Sequence, residues 1–136
     1  DVAGLKDRLQ PLVKELMFAG CRVSLFIEAD IVQLKAAANL GVPVVELHTG
    51  RYCDASGASR SIELDRISAA AKDAKFLGLE CHAGHGLAFD SVKPIAAIPE
   101  IVELNIGHFL VGEAIFMGLK EAIGEMRRLM DEAVGN

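Results

Sequence analysis

Two histidines stand beside glycines that free the main chain around them. His85 lies within Cys81-His82-Ala83-Gly84-His85-Gly86-Leu87, and His108 ends Glu103-Leu104-Asn105-Ile106-Gly107-His108. An imidazole moves protons near neutral pH, and glycine on either side lets a ligand approach the backbone closely. Gly86, Gly107 and His108 suit a small anion, because backbone amides at the start of a helix can bind phosphate; the plainer reading is glycines that only turn the chain. Glu46, in Glu46-Leu47-His48-Thr49-Gly50, is a carboxylate that could hold a cationic intermediate or move a proton. The commoner fate of a lone strand Glu is a structural pairing with Lys or Arg. His48 follows two residues on, where it could simply fix Glu46 by a hydrogen bond.

Other chemistries fit less well. His82 and His85 are three apart, a spacing compatible with metal binding, but no third or fourth ligand follows at a recognisable spacing, so no metal is expected. Gly84-His85-Gly86 is not a dinucleotide fingerprint, since Leu87-Ala88-Phe89 follows where the third glycine belongs. No P-loop lysine motif is present.

These residues need elements to hold them. Apolar spacing predicts a helix over Asp1 to Phe18, with Leu5, Leu9, Leu12, Val13 and Leu16 on its buried stripe and Pro11 kinking it or delaying its start. Val23 to Glu28 reads as a strand. Asp30 with Gln33 signals a capped helix, Ile31 to Leu40, stopped by Gly41. Val44 to His48 is the second strand, and Thr49 to Ser59 a loop long enough to be functional. Ser61 opens a third helix that buries Leu64, Ile67, Ala71 and Ala74 and ends at Gly78. Leu79 to Gly84 is the third strand. Asp90 and Ser91 can cap a short helix to Ile98. Ile101 to Gly107 is the fourth strand, and Phe109 to Val134 is helical in two pieces hinged near Gly112 or Gly118. In that last helix Leu119, Ile123, Met126 and Met130 read as packing, and Arg127-Arg128 as a complement to the helix dipole.

Helix and strand alternate, which implies parallel strands joined by crossover helices. One strand parity is apolar (Val23, Leu25, Ile27; Val45, Leu47; Leu79, Cys81, Ala83; Leu104, Ile106), and the other carries Ser24, Glu28, Glu46, His48, Glu80, His82, Glu103 and Asn105. A doubly wound sheet would be apolar on both faces. One covered face and one polar mouth suit a βα barrel, in which active sites sit at the carboxyl ends of the strands. Such a barrel needs eight strands and ~250 residues. Four strands in 136 residues read as half of one barrel, and a chain that opens on a helix, with neither a starting methionine nor the strand expected before that helix, reads as the second half, a single domain over residues 1–136.

Composition narrows the class. A hydrophobic fraction of 51% with 24% charged residues belongs to a globular chain. A net charge of −5 argues against nucleic acid as a partner. No apolar run reaches membrane-spanning length and no signal peptide is visible. Cys21, Cys53 and Cys81 show no paired framework and read as reduced thiols, so a cytoplasmic location is expected.

Val23-Ser24-Leu25-Phe26-Ile27, Glu46-Leu47-His48-Thr49-Gly50, Ala83-Gly84-His85-Gly86-Leu87 and Glu103-Leu104-Asn105-Ile106-Gly107-His108 together resemble pyridoxine 5′-phosphate synthase, over nearly the whole chain and in order. The resemblance implies an α/β fold, a (βα)₈ TIM barrel of which this chain is the C-terminal half, strands five to eight. It implies a cofactor-free condensation of two small phosphorylated substrates, 3-amino-2-oxopropyl phosphate and 1-deoxy-D-xylulose 5-phosphate, giving pyridoxine 5′-phosphate, inorganic phosphate and water. By the same resemblance His85 is the acid that donates a proton, and Glu46 stabilises charged transition states. Gly86, Gly107 and His108 bind the aminoketone phosphate. No metal and no membrane are implied, and a homo-oligomer is. The resemblance puts a further His, a Glu and the substrate-binding arginines in an N-terminal half outside this sequence, so the 136 residues alone are expected to be inactive. It assigns no role to Arg51, and the segment Asp54 to Arg60 is about one residue shorter than the family pattern.

Two other readings remain open on sequence. One is a different phosphate-binding barrel of the aldolase or isomerase type, although no strand carries a Schiff-base lysine. The other is a non-catalytic half-barrel that serves as an assembly module.

Overall fold

The computed structural model describes residues 1–135. Its order is α1 (Lys6–Phe18), β1 (Ser24–Ile27), α2 (Ile31–Leu40), β2 (Val44–His48), α3 (Gly50–Asp54), α4 (Gly57–Phe76), β3 (Glu80–Gly84), α5 (Val92–Ala96), β4 (Ile101–Asn105), α6 (His108–Met117) and α7 (Leu119–Val134).

Helix α2 shows how closely the local code is followed. The Asp30 carboxylate accepts from the amides of Val32 and Gln33 at 2.7 and 3.3 Å, and Gly41 closes the helix at φ 79°. The reciprocal half of the capping box does not form. The Gln33 carboxamide accepts instead from Val2 and Ala3, at 2.7 and 3.1 Å, and ties down the amino-terminal turn.

Three expectations need correction. The segment after β2 is not a loop: it holds α3, and α4 begins at Gly57, ahead of Ser61. Arg60 reaches back to the carbonyls of Ala55 and Cys53, at 2.9 and 3.1 Å, and supplies donors to the end of α3. On α1, which runs through Pro11, the proposed stripe is buried only at Val13; Leu5, Leu12 and Leu16 are exposed. Arg128 is not used at a helix end; it pairs with Glu125 and Glu132 along the α7 surface. The final break falls at Gly118, whose φ of 90° is open to glycine, while Gly112 lies inside α6.

The strands form one parallel sheet in chain order, β1-β2-β3-β4. Crossovers of one hand between sequential neighbours put the helices on a single face. The core confirms it. Leu47, Ala83 and Val45 are fully buried together with Leu34, Ala37, Ile67, Ala71 and Ala74 of α2 and α4. A second cluster joins Val92 of α5 to Met126 and Leu129 of α7, with Phe89 and Phe109 edge to face at 4.7 Å. Leu119 and Ile123 of α7 remain exposed.

The opposite face is polar, as the parity predicted. The register aligns Phe26, Glu46, His82 and Glu103 across the strands, and His48, Gly84 and Asn105 in the row above. A register shift at Cys81/His82 makes Val102 the extra residue on β4, and from there Leu104 faces the helices beside Ala83. The result is an α/β fold of four parallel strands alternating with helices, consistent with part of a βα barrel. No helix among the described residues is long and apolar enough to cross a membrane.

The cysteines sit at three depths, and burial pushes the Cys81 thiol up to about 12, with the Glu100 carboxylate adding to it. Because the thiolate is the reactive form, an aromatic disulfide reagent is expected to modify exposed Cys21 first, half-buried Cys53 more slowly and Cys81 only on unfolding. Peptide mapping of a timed reaction checks this order, and early labelling of Cys81 would contradict it.

Candidate active site

The carboxyl ends of the strands frame a cavity of about 660 Å³. Glu46 from β2, His85 and Gly86 from the turn after β3, and Gly107 and His108 at the start of α6 all line it. Every site residue expected from sequence is therefore in one place.

The His85 turn is held rigidly. Its backbone has φ 80°, and His85 is the only non-glycine residue with positive φ among those described. A left-handed conformation is unfavourable for a side chain of this size and persists where the surroundings impose it. Here Thr49 imposes it. Its amide donates to the Gly84 carbonyl at 2.9 Å, and its buried hydroxyl lies 2.8 Å from the same oxygen and 2.6 Å from the His85 carbonyl. Gly86 follows at φ 84°, packed on Cys53; an added Cβ would come within 3.1 Å of the Cys53 Cβ. On the aromatic side His85 lies against His48, ring centroids 4.8 Å apart, with Phe26 at 6.3 Å.

His48 does not fix Glu46. It turns to Glu28, with Nδ1 3.1 Å from Oε1, and packs edge to face on Phe26. Gly50 makes room for this pair of rings, since an added Cβ would lie 2.8 Å from the His48 ring and 3.3 Å from that of His85. Glu28 also faces Arg51 at 3.8 Å and Arg66 at 3.6 Å.

Glu46 is fixed from β4. Asn105 Nδ2 donates to its Oε2 at 3.0 Å, and its Oε1 fills the space that Gly84 leaves by having no side chain. Burial raises the Glu46 pKa above the usual carboxylate value; the His82 charge opposes this, Glu103 adds to it, and the Asn105 hydrogen bond and His85 lower it again. Such a group can hold a positive centre as a carboxylate or accept a proton.

The end of the cavity at Gly107 and His108 differs in kind. Gly107 precedes α6, whose first amides have no partners within the helix. A Cβ built on Gly107 meets no protein atom within 4 Å, so packing does not demand glycine there, and the main chain stays open to a ligand. His82 and His85 do not converge: His82 lies between Glu80 and Glu103, at 2.8 and 3.2 Å. Among the described residues no group of three or more His, Cys, Asp or Glu is arranged to hold a metal ion. Sequence reasoning gave no role to Thr49, Phe26 or Asn105. Asn105 shares the parity of Glu46, which was the available signal; Thr49 acts only through a turn 35 residues away.

Parallel strands with a histidine, a carboxylate and an open helix start at their carboxyl ends make a cavity where βα barrels place their small-molecule sites. The sequence matches the family described as pyridoxal phosphate biosynthesis protein PdxJ over residues 1–132. It is 60% identical over 135 residues to the pyridoxine 5′-phosphate synthase of Rhodospirillum rubrum, covering 98% of this chain and 54% of that protein. Those of Ruegeria pomeroyi and Zymomonas mobilis are 56% and 57% identical, again over 98% of this chain and 55% and 52% of theirs. The chain belongs to the PdxJ family, the pyridoxine 5′-phosphate synthases. It spans about half the length of the curated relatives it matches.

Proposed function

We propose that this chain is the C-terminal half, strands five to eight, of a (βα)₈ barrel that acts as a pyridoxine 5′-phosphate synthase. In this reading the amine of 3-amino-2-oxopropyl phosphate attacks the ketone of 1-deoxy-D-xylulose 5-phosphate. Dehydration, loss of inorganic phosphate and ring closure give pyridoxine 5′-phosphate. The observation that carries the reading is the single cavity shared by Glu46, His85, Gly86, Gly107 and His108.

His85 protonates a departing hydroxyl, held at the right place by its Thr49-locked turn. Glu46 faces the cationic nitrogen that forms when amine and ketone condense, a charge absent from the ground state and therefore useful to stabilise. Gly86, Gly107 and His108 take the aminoketone phosphate, with the amides of α6 aimed at it. The other bases and the arginines come from the other half of the barrel. The reaction needs no cofactor and no metal, and the assembled protein is a homo-oligomer.

The test is product formation from the two phosphates by the full-length protein, followed by chromatography and phosphate release, with no metal or nucleotide added. The 136-residue chain alone is expected to give no turnover and to self-associate on sedimentation. Its outer strands are each paired on one side only, and Phe116 on α6 is 86% exposed. A monomeric and active chain would contradict the proposal.

Glu46→Gln separates function from stability. The loss of one charge-assisted contact is expected to slow turnover roughly 10–100-fold. Stability moves the other way. With its folded pKa raised, Glu46 favours the fold most when protonated, and that contribution is lost as pH rises through the folded pKa. Relative to wild type the Gln variant should gain stability as pH increases across that window and match it in acid. Thermal melts from pH 4 upward check the sign, and a variant destabilised at neutral pH relative to acid would refute it.

A further inference from the structure

His82 lies outside the cavity lining, yet it is buried and engaged on both ring nitrogens. Nε2 is 2.8 Å from Glu80 Oε1, and Nδ1 is 3.2 Å from Glu103 Oε1. The Nε2 contact to Glu80 is a hydrogen bond, and Nδ1 faces the Glu103 carboxylate as a close charged contact; a neutral ring would turn a lone pair toward one of the two carboxylates. Glu80 is itself anchored by Arg22 at 2.6 Å, and the hydrogen bonds from Arg22 and His82 hold its carboxyl below the usual range. The clamp is thus fixed at the strand start by an arginine and at β4 by Glu103.

The register puts this clamp beside Glu46. Glu46 on β2 aligns with His82 on β3, and His82 with Glu103 on β4, so one row runs carboxylate, imidazole, carboxylate across three strands. The charges of His82 and His85, on β3 and its turn, lower the Glu46 pKa and that of Glu103 on β4 raises it, while Asn105 of β4 donates to Glu46 at 3.0 Å. The β1 residue aligned with it is Phe26, which brings no charge. His82 and Glu103 therefore act on Glu46 with opposite signs from adjacent strands, and neither reaches the cavity wall.

We propose that His82 is a positioning residue that acts through Glu46: held between Glu80 and Glu103, it sets an imidazole ring beside Glu46 whose positive charge favours the Glu46 carboxylate. Glu103 holds that charge in register and partly offsets it. A ring that only filled space in the sheet would give Glu46 no such dependence on charge.

Carboxyl ¹³C NMR titration of Glu46 in the full-length protein tests this, the signal being assigned by its loss in Glu46→Gln. In His82→Gln, the midpoint of Glu46 is expected to move to higher pH, because a compensating positive charge has gone. In Glu103→Gln it is expected to move to lower pH, because a repelling carboxylate has gone. The acid limb of kcat/KM should follow in the same two directions. Movement of both variants in one direction, or of neither, overturns the proposal. If His82→Gln does not fold, the exposed Glu80→Gln decides: with the carboxylate that pairs with the ring gone, the Glu46 midpoint is expected to move to higher pH, and an unmoved or lowered midpoint overturns the proposal. Only the kinetic arm rests on the function proposed above. A protein without synthase activity whose Glu46 midpoints still separate would sink that function and leave this inference standing.

Discussion

His85→Asn in the full-length protein is expected to lower kcat about 10²–10⁴-fold, the usual worth of a positioned proton donor. KM for the aminoketone phosphate should change little, because the phosphate is assigned to Gly86, Gly107 and His108 rather than to the imidazole. Asn is the informative replacement, since it tolerates the left-handed backbone that His85 adopts at φ 80°. The Thr49 contacts to the carbonyls of Gly84 and His85 are therefore kept, and thermal stability should be retained. Steady-state kinetics with a melt on the same sample separates loss of the proton donor from loss of the turn. Full activity in this variant would remove His85 from the chemistry.

Gly84→Ala is expected to damage both the fold and the site. Gly84 is not at a positive φ, so its backbone conformation is open to alanine; the difficulty is space. The added methyl would overlap the Glu46 carboxylate and lie 2.8 Å from the Asn105 carbonyl and 3.1 Å from its Cβ. The carbonyl belongs to the backbone of β4, in register with Gly84, and yields less than a side chain does, so Glu46 is the group that moves. Overpacking of this kind costs about 1–3 kcal/mol, and a reacting group displaced by an ångström loses on the order of 10² in rate. Shortening Glu46 as well should recover part of the stability and none of the activity. Urea unfolding and turnover of the two single variants and the double variant close that cycle. Independent, additive stability losses would show that Gly84 and Glu46 do not share the space.

Where local chemistry decides the structure, the sequence was easy to read. Asp30 and Gly41 bracket α2 by a side-chain cap and a left-handed stop, both visible within a few residues. Strand β2 ran from Val44 to His48 as its alternation required, and the same alternation placed Glu46 on the polar face. The cavity residues were legible because each ends or follows a strand, and in a parallel βα fold those ends meet. What was hidden depends on contacts distant in the chain. Gly50 and Gly57 read as loop signals, but Gly50 is small because the His48 and His85 rings crowd it, and a helix starts at each. Leu5, Leu12 and Leu16 form an apolar stripe, and periodicity cannot say that α1 leaves it exposed. His48 was drawn toward Glu46 by sequence proximity, whereas Glu28 on the neighbouring strand holds it. The shift at Cys81/His82, which brings His82 opposite Glu103, has no local signature at all.

The most direct measurement is a crystal structure of the full-length protein soaked with 3-amino-2-oxopropyl phosphate. The expected result is the phosphate on the amides of Gly107 and His108, with Gly86 beside it and the His85 imidazole and Glu46 carboxylate within hydrogen-bonding reach of the aminoketone. Ligand bound in a well-ordered cavity with its phosphate elsewhere, or with His85 and Glu46 both turned from it, would contradict the account.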